Sequence, residues 1–379
     1  MIFLPFQAEN KKSFIFYSRK NRFRVIAFPA EPGILTREKI GDRFSSARFA
    51  EKGWFEKMIR LGMFLPPLPD RRWRLAAQAG VRYAVCRMNP AFDPFRLDSM
   101  SEAQKGFREA GFEIAALEGD QFDMSRIKLG LPGRDEDLEN YRKMLSNMGK
   151  LGIRILCYNF MAGVGWFRSK NDVPYRGGAL TSRWSRDDVP EEPLKFSHEK
   201  LWENYTCFLK AVLPAAEEAG VTMCLHPDDP PVSELKGYPR IINSADAYRK
   251  MLKLAASPNA GITFCAATFR AMGEDDMALI REWKEKIPFV HMRDNQPVPG
   301  GFMETFHDNG PTDLAARFEL LEQLDMDVLV RPDHAPTMFG ENNDEPGYAA
   351  LGRIFAIGYF KGILDTMTKG KDGSSCSKA

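Results

Sequence analysis

HEKLWENYTCFLKAVLPAAEEAGVTMCLH, residues 198–226, is the stretch on which the fold turns. Leu201, Tyr205, Phe208 and Val212 recur at helical spacing, so a helix over 198–219 carries an apolar face that packs inward. Gly220 is placed to close that helix as a C-cap. Residues 222–226 then form a nearly unbroken apolar run, short enough for a strand and ending on His226. A continuous apolar strand is one covered on both faces, as in a parallel sheet.

Outward from this unit the same rhythm repeats. Strands are predicted over 59–64, 83–87, 113–118, 154–159, 222–226, 262–265, 289–293 and 328–331. Helical patterns fall between them, over 135–150, 198–219, 244–256, 273–286 and 312–324, with a last helix over 349–367. Gly111 and Gly152 repeat the C-cap of Gly220 just ahead of a strand. Eight strands alternating with helices predict an α/β fold, a closed (β/α)8 TIM barrel over 58–368. An open doubly wound sheet is the competing architecture, but no G-x-G-x-x-G follows a strand. Residues 369–379 are polar and rich in glycine and serine, and are expected to be disordered. Residues 1–57 differ from the rest: 11–24 are basic and aromatic, with Phe14, Phe16, Tyr17 and Phe23, and lack clear periodicity. They read as an N-terminal extension or as an over-long start whose true beginning is Met58 or Met63; the second is expected.

Composition narrows the partners. Lys and Arg number 53 against 51 Asp and Glu, a net charge of +2 in 379 residues, which points to neither nucleic acid nor membrane. No apolar run reaches the roughly 20 residues of a membrane helix, and the apolar start is interrupted too early for a signal peptide. Cys86, Cys157, Cys207, Cys224, Cys265 and Cys376 are scattered without a C-x-x-C pair. Buried thiols in a cytoplasmic protein are the expectation. The helical exterior of a barrel can support a homodimer.

Barrel active sites lie at the C-terminal ends of the strands. There the fifth strand ends on His226, the sixth on Cys265, the seventh carries His291 and Arg293, and the eighth ends in Arg331-Pro332-Asp333-His334. Taken singly, each has a plainer explanation. A strand-end histidine is commonly a hydrogen-bonded core residue, an aspartate a helix cap and a cysteine core filler. Taken together, His226, Cys265, His291 and Asp333 end four successive strands and converge on one axis. Two imidazoles, a thiolate and a carboxylate suit Mn²⁺, Fe²⁺ or Zn²⁺ rather than Mg²⁺ or Ca²⁺. Arg293, Arg331 and Arg168 at the same rim offer forks for a carboxylate, as in a sugar acid. Tyr348, past the eighth strand, is placed to fold back over the site, as packing or as an acid or base.

At these residues the chain resembles the D-mannonate dehydratase family, in the xylose-isomerase-like group of barrels. The matching segments are LGLPGRDEDLENY (129–141), CYNFM (157–161), HPDDPP (226–231), GITFC (261–265), FVHMR (289–293), ETFHDNG (304–310), RPDH (331–334) and PGY (346–348), in order. The resemblance implies a hydro-lyase that converts D-mannonate to 2-dehydro-3-deoxy-D-gluconate with Mn²⁺ or Fe²⁺ in hexuronate breakdown. It carries the metal ligands over to His226, Cys265, His291 and Asp333, and the family's tyrosine to Tyr348. Asp333, Tyr348 and His334 are the candidate acid and base; Asn159, Arg293, Arg331 and Glu118 are the candidates for binding substrate. The chain departs from the family pattern at Ala162, over 163–183, and at Ala266-Ala267, Asp294 and Ala335. The metal set is intact while the loops differ. Two competing expectations follow. One is a sugar-acid isomerase or epimerase on the same barrel, against which the cysteine argues. The other is an inactive sugar-acid-binding homologue.

Overall fold

The computed structural model describes residues 59–372 and, before them, the short strands Phe6–Ala8, Lys11–Ile15 and Val25–Ala27. The chain divides into two compact units, Met1–Glu51 and Lys52–Ala379. In the first unit the three strands pair antiparallel, in a stretch where the sequence has no clear period. The remainder of 1–57, and with it the expectation of an over-long start, lies outside the described residues, as does most of the expected tail over 369–379.

The second unit is a closed parallel barrel of eight strands. In chain order they are β1 (Ile59–Phe64), β2 (Tyr83–Cys86), β3 (Glu113–Glu118), β4 (Ile155–Tyr158), β5 (Thr222–Leu225), β6 (Ala260–Cys265), β7 (Phe289–Met292) and β8 (Val328–Pro332). Each pairs in parallel with the next, and β8 closes on β1. Register sets the chemistry: Cys265 lies opposite His291, and His291 opposite Arg331, so β6, β7 and β8 end in one layer.

The helices form where apolar spacing and caps agree. His198–Ala219 starts at Ser197, whose hydroxyl accepts from the Lys200 amide, and stops at Gly220 in the left-handed region. Its inner face, Leu201, Tyr205, Phe208, Leu209 and Val212, is buried against the barrel. Two helices stand here: Ala266–Ala271, which was not expected, and Asp276–Trp283, which with the 3-10 turn Lys284–Lys286 is the helix expected over 273–286. The first begins directly after Cys265. The second begins only where Asp275 can cap the Ala278 amide. The last helix is longer than expected and runs from Ala350 to Asp372. None of the described helices is long and apolar enough to cross a membrane. Cys86, Cys157, Cys207, Cys224 and Cys265 are free thiols.

Two excursions above the barrel were not legible as elements. The β4 loop contributes strands Lys170–Pro174 and Leu180–Ser185, and the β7 loop contributes Asn295–Val298 and Gly301–Glu304. They join into one four-stranded antiparallel sheet. The departures over 163–183 and at Asp294 thus fall in or beside one shared structure.

One close approach gives a test of packing. Gly149 in helix Arg134–Lys150 abuts the end of helix His198–Ala219, and a Cβ there would lie 2.6 Å from the Ala219 carbonyl oxygen. Helix propensity favours alanine over glycine by about 1 kcal/mol. Overpacking costs about 1–3 kcal/mol, and a backbone carbonyl cannot swing aside as a side chain can. Gly149→Ala is therefore expected to lower the unfolding free energy by about 1 kcal/mol in a urea titration, against the sign that propensity predicts.

Candidate metal centre and active site

His226 stands one residue beyond β5, Cys265 ends β6, His291 lies in β7 and Asp333 follows β8. Their ligand atoms lie within 4.8 Å of one another. Hydrogen bonding selects the nitrogen each imidazole turns inward. His226 Nδ1 is 2.7 Å from the Pro227 carbonyl oxygen, which can only accept, so Nδ1 carries the hydrogen and Nε2 the lone pair. His291 Nε2 is already engaged, 3.2 Å from Glu118 Oε2 and 3.2 Å from Arg331 Nε, which leaves Nδ1 as the nitrogen turned toward the other ligands. That Nδ1 is buried without a hydrogen-bond partner, 3.7 Å from Asp333 Oδ2. Cys265 Sγ accepts from the Thr268 hydroxyl at 3.1 Å and lies 3.9 Å from Asp333 Oδ2.

An unpartnered imidazole nitrogen beside a thiol and a carboxylate is a costly interior unless a cation fills it. The donor set therefore fits a divalent transition ion, held with carboxylate support behind the histidine. A second cluster, Glu118, Cys157 and His291, has similar spacing but does not fit. Arg331 already sits on Glu118, and burial pushes the Cys157 thiol well up, so it stays protonated. Burial also lowers His226 below the usual histidine range, more than Asp333 and Asp229 raise it, which keeps the imidazole neutral and ligand-competent.

Asp333 is 1% exposed, and burial alone would raise its pKa. His334, Arg331, His291 and Arg293 outweigh that and hold the carboxyl well below its ordinary value. Arg293 Nε is 2.9 Å from Oδ2 and Arg331 Nη2 is 3.0 Å from Oδ1. These contacts correct the sequence reading of the arginines. Arg293 does not line the cavity: its guanidinium is occupied by Asp229, Glu304, Thr268 and Asp333. Arg331 reaches the wall but is taken by Glu118, Asp333 and the Pro332 carbonyl. Glu118 faces the cavity already engaged by Arg331 and His291. Arg168, read as a rim residue, is fully buried on Asp229 and Glu304. Together Arg168, Asp229, Arg293 and Glu304 form a charge-balanced cluster that ties both excursions to the back of Asp333.

A cavity of about 580 Å³ opens over the ligand atoms, lined by His226, His291, Asp333, His334, Tyr348 and Asn159 among others. Gly347, with φ of +82°, turns the chain so that Tyr348 faces back toward the barrel; its ring meets His334 edge-on, centroids 5.1 Å apart. Trp166 also packs on His334, tilted, with ring centroids 4.8 Å apart. His334 Nε2 is 3.6 Å from Asp333 Oδ1, and its Nδ1 is 3.6 Å from Glu304 Oε1. Sequence reasoning missed Trp166, which lies in the unfamiliar loop, and Lys128, which is 3% exposed and bonded to Asp120 and Asn159. A lysine inside a helical segment gives no sign of burial. His307 is apart from the cavity: it bonds the Met292 carbonyl, and burial lowers it to about 4.

Fold and site define a (β/α)8 barrel with a candidate metal centre at the C-terminal ends of its strands. The D-mannonate dehydratase family model matches residues 74–195 and 192–374. A mannonate dehydratase of Streptococcus equi subsp. zooepidemicus is 33% identical over 309 residues, covering 73% of this chain and 84% of its own. Mannonate dehydratase 1 of Bacillus licheniformis is 30% identical over 339 residues, 79% of this chain and 92% of its own. The crystal structure of mannonate dehydratase from Streptococcus suis serotype 2 superposes with a TM-score of 0.77 at 31% identity, over 83% of this chain and 96% of that one. A xylose isomerase domain protein from Planctomyces limnophilus shares the fold at 14% identity and a TM-score of 0.55. The chain belongs to the D-mannonate dehydratase family, a family of hydro-lyases.

The buried cluster carries its own prediction. Asp229→Ala leaves Arg168 and Arg293 with Glu304 as their shared remaining partner among the residues of the cluster. Removing one partner from a buried ion cluster costs about 3–5 kcal/mol. Chemical denaturation of this variant is expected to show a loss of that order.

Proposed function

We propose that the protein removes water from D-mannonate to give 2-dehydro-3-deoxy-D-gluconate, in the cytoplasmic breakdown of hexuronates, with Mn²⁺ or Fe²⁺ as its ion. The observation that carries this reading is the convergence of His226, Cys265, His291 and Asp333, three of which line one cavity with Tyr348 and His334. These four side chains would hold the ion. When bound, it supplies Lewis-acid polarisation of the acid's carboxylate end and so acidifies the neighbouring carbon.

The protein's own groups divide the proton work. Asp333 is engaged by two arginines and is a poor base. His334, lining the cavity with its ring in contact with both Trp166 and Tyr348, is the base that takes the C2 proton. Tyr348 keeps its phenol proton, because burial and, next, Asp333 raise its pKa, and it is therefore the group that has a proton to give. It protonates the 3-hydroxyl as the C3–O bond breaks; water leaves, and the enol that remains tautomerises to the 2-keto acid.

The test is direct. Protein stripped with chelator and reloaded with Mn²⁺ is expected to convert D-mannonate to a 2-keto acid, with NMR separating loss of water from isomerisation. Cys265→Ala is expected to lower metal content, and unchanged stoichiometry would remove Cys265 from the ligand set. Tyr348→Phe should bind substrate as before and turn it over about 10²–10⁴-fold more slowly. Wild-type turnover in that variant removes Tyr348 from the mechanism.

A further inference from the structure

The four converging ligands all come from the ends of β5 to β8. The opposite half of the barrel mouth, at the ends of β2, β3 and β4, carries a different chemistry. Arg87 stands one residue past β2, Asp120 two past β3 and Asn159 one past β4. A second cavity of about 360 Å³ adjoins the first there, and the two share Arg87, Asn89, Pro90, Asp120 and Met161 as walls.

Three features of this bay bear on a ligand. The Arg87 guanidinium is exposed and, among the described residues, makes no hydrogen bond or ion pair, unlike Arg331 and Arg72, which share the inner cavity wall but are held by carboxylates. Lys128 is buried with Nζ 2.6 Å from Asp120 Oδ2 and 2.9 Å from Asn159 Oδ1. An ammonium only donates, so the Asn159 oxygen is turned to Lys128 and its NH₂ group is left for the cavity. The bay's charges also balance, Arg87 and Lys128 against Asp120 and Asp123. Donors and acceptors in balance match neutral hydroxyls, whereas a phosphate or second carboxylate would call for surplus positive charge.

We infer that Arg87, Asp120 and Asn159, with Lys128 fixing the last two, form a subsite for the hydroxyl-bearing far end of the sugar acid. The inference rests on the proposed substrate class. It moves substrate recognition from Arg293 and Arg331, which are occupied, to the β2–β4 side of the mouth. The acid then lies across the barrel axis, its carboxylate end over the β5–β8 ligands and its tail in the bay.

L-Erythronate tests this, because it keeps the C2 and C3 configuration of D-mannonate and lacks the two terminal carbons. Manganese-loaded wild-type, Arg87→Met and Lys128→Met proteins are compared on both acids, by turnover and by calorimetric binding. The preference for D-mannonate over L-erythronate is expected to fall about tenfold or more in each variant, the size of one lost hydrogen bond to a charged group. The loss should appear chiefly in KM. Arg87 is exposed, so its variant keeps the test valid if Lys128→Met fails to fold. An unchanged preference in Arg87→Met overturns the subsite. Wild type that binds D-mannonate more tightly, and loses that margin in Arg87→Met without any turnover, supports the subsite and overturns the dehydratase reading. Wild type that binds neither acid overturns both.

Discussion

The Asp333 carboxylate carries its charge where burial by itself would have it take up a proton. Isolated, a buried ion costs several kcal/mol, and the cost is offset only when partners of opposite sign are held in place. Arg293 and Arg331 do this from the two strands that end beside it. They in turn need anions. Arg331 finds Glu118 at the end of β3, across the barrel, and Arg293 finds Asp229 and Glu304. Much of the upper barrel follows from this one requirement.

The chain of compensation also orders the functional groups. Glu118 and Arg331, which balance each other, both engage His291 Nε2 and so leave that residue's other nitrogen toward Asp333. Glu304, which balances Arg293, belongs to the β7 excursion, and Arg168, which shares it, belongs to the β4 excursion. The loop carrying Arg168 also carries Trp166, which packs on His334. A site built in this way has few free charges. That is why the arginines nearest the ligand atoms are poor candidates for holding substrate, and why the unengaged Arg87 on the far side stands out.

Much of the fold was readable because its signals are local. Apolar runs with glycine stops located all eight strands to within two residues at most ends, and the strand ends pointed to His226, Cys265, His291 and Asp333. The helix expected over 273–286 begins instead at Asp276, because a capping aspartate, not the apolar pattern, sets where it starts. The antiparallel sheet of the excursions was invisible for a different reason. Its strands come from segments more than a hundred residues apart, and each makes sense only when paired with the other.

From sequence alone came the barrel, the order of its strands and the residue types at their ends, because periodicity of 2 and 3.6 and the rule that catalytic groups end barrel strands need no knowledge of distant contacts. Which arginines are free and which are bound was decided only in three dimensions. So were the inward nitrogen of each histidine, the burial of Lys128 and the aromatic contacts of His334. The physical reason is that a side chain's charge and hydrogen-bonding capacity are set by whatever else is brought within about 3 Å of it, and those neighbours are supplied by closure of the barrel rather than by adjacency along the chain.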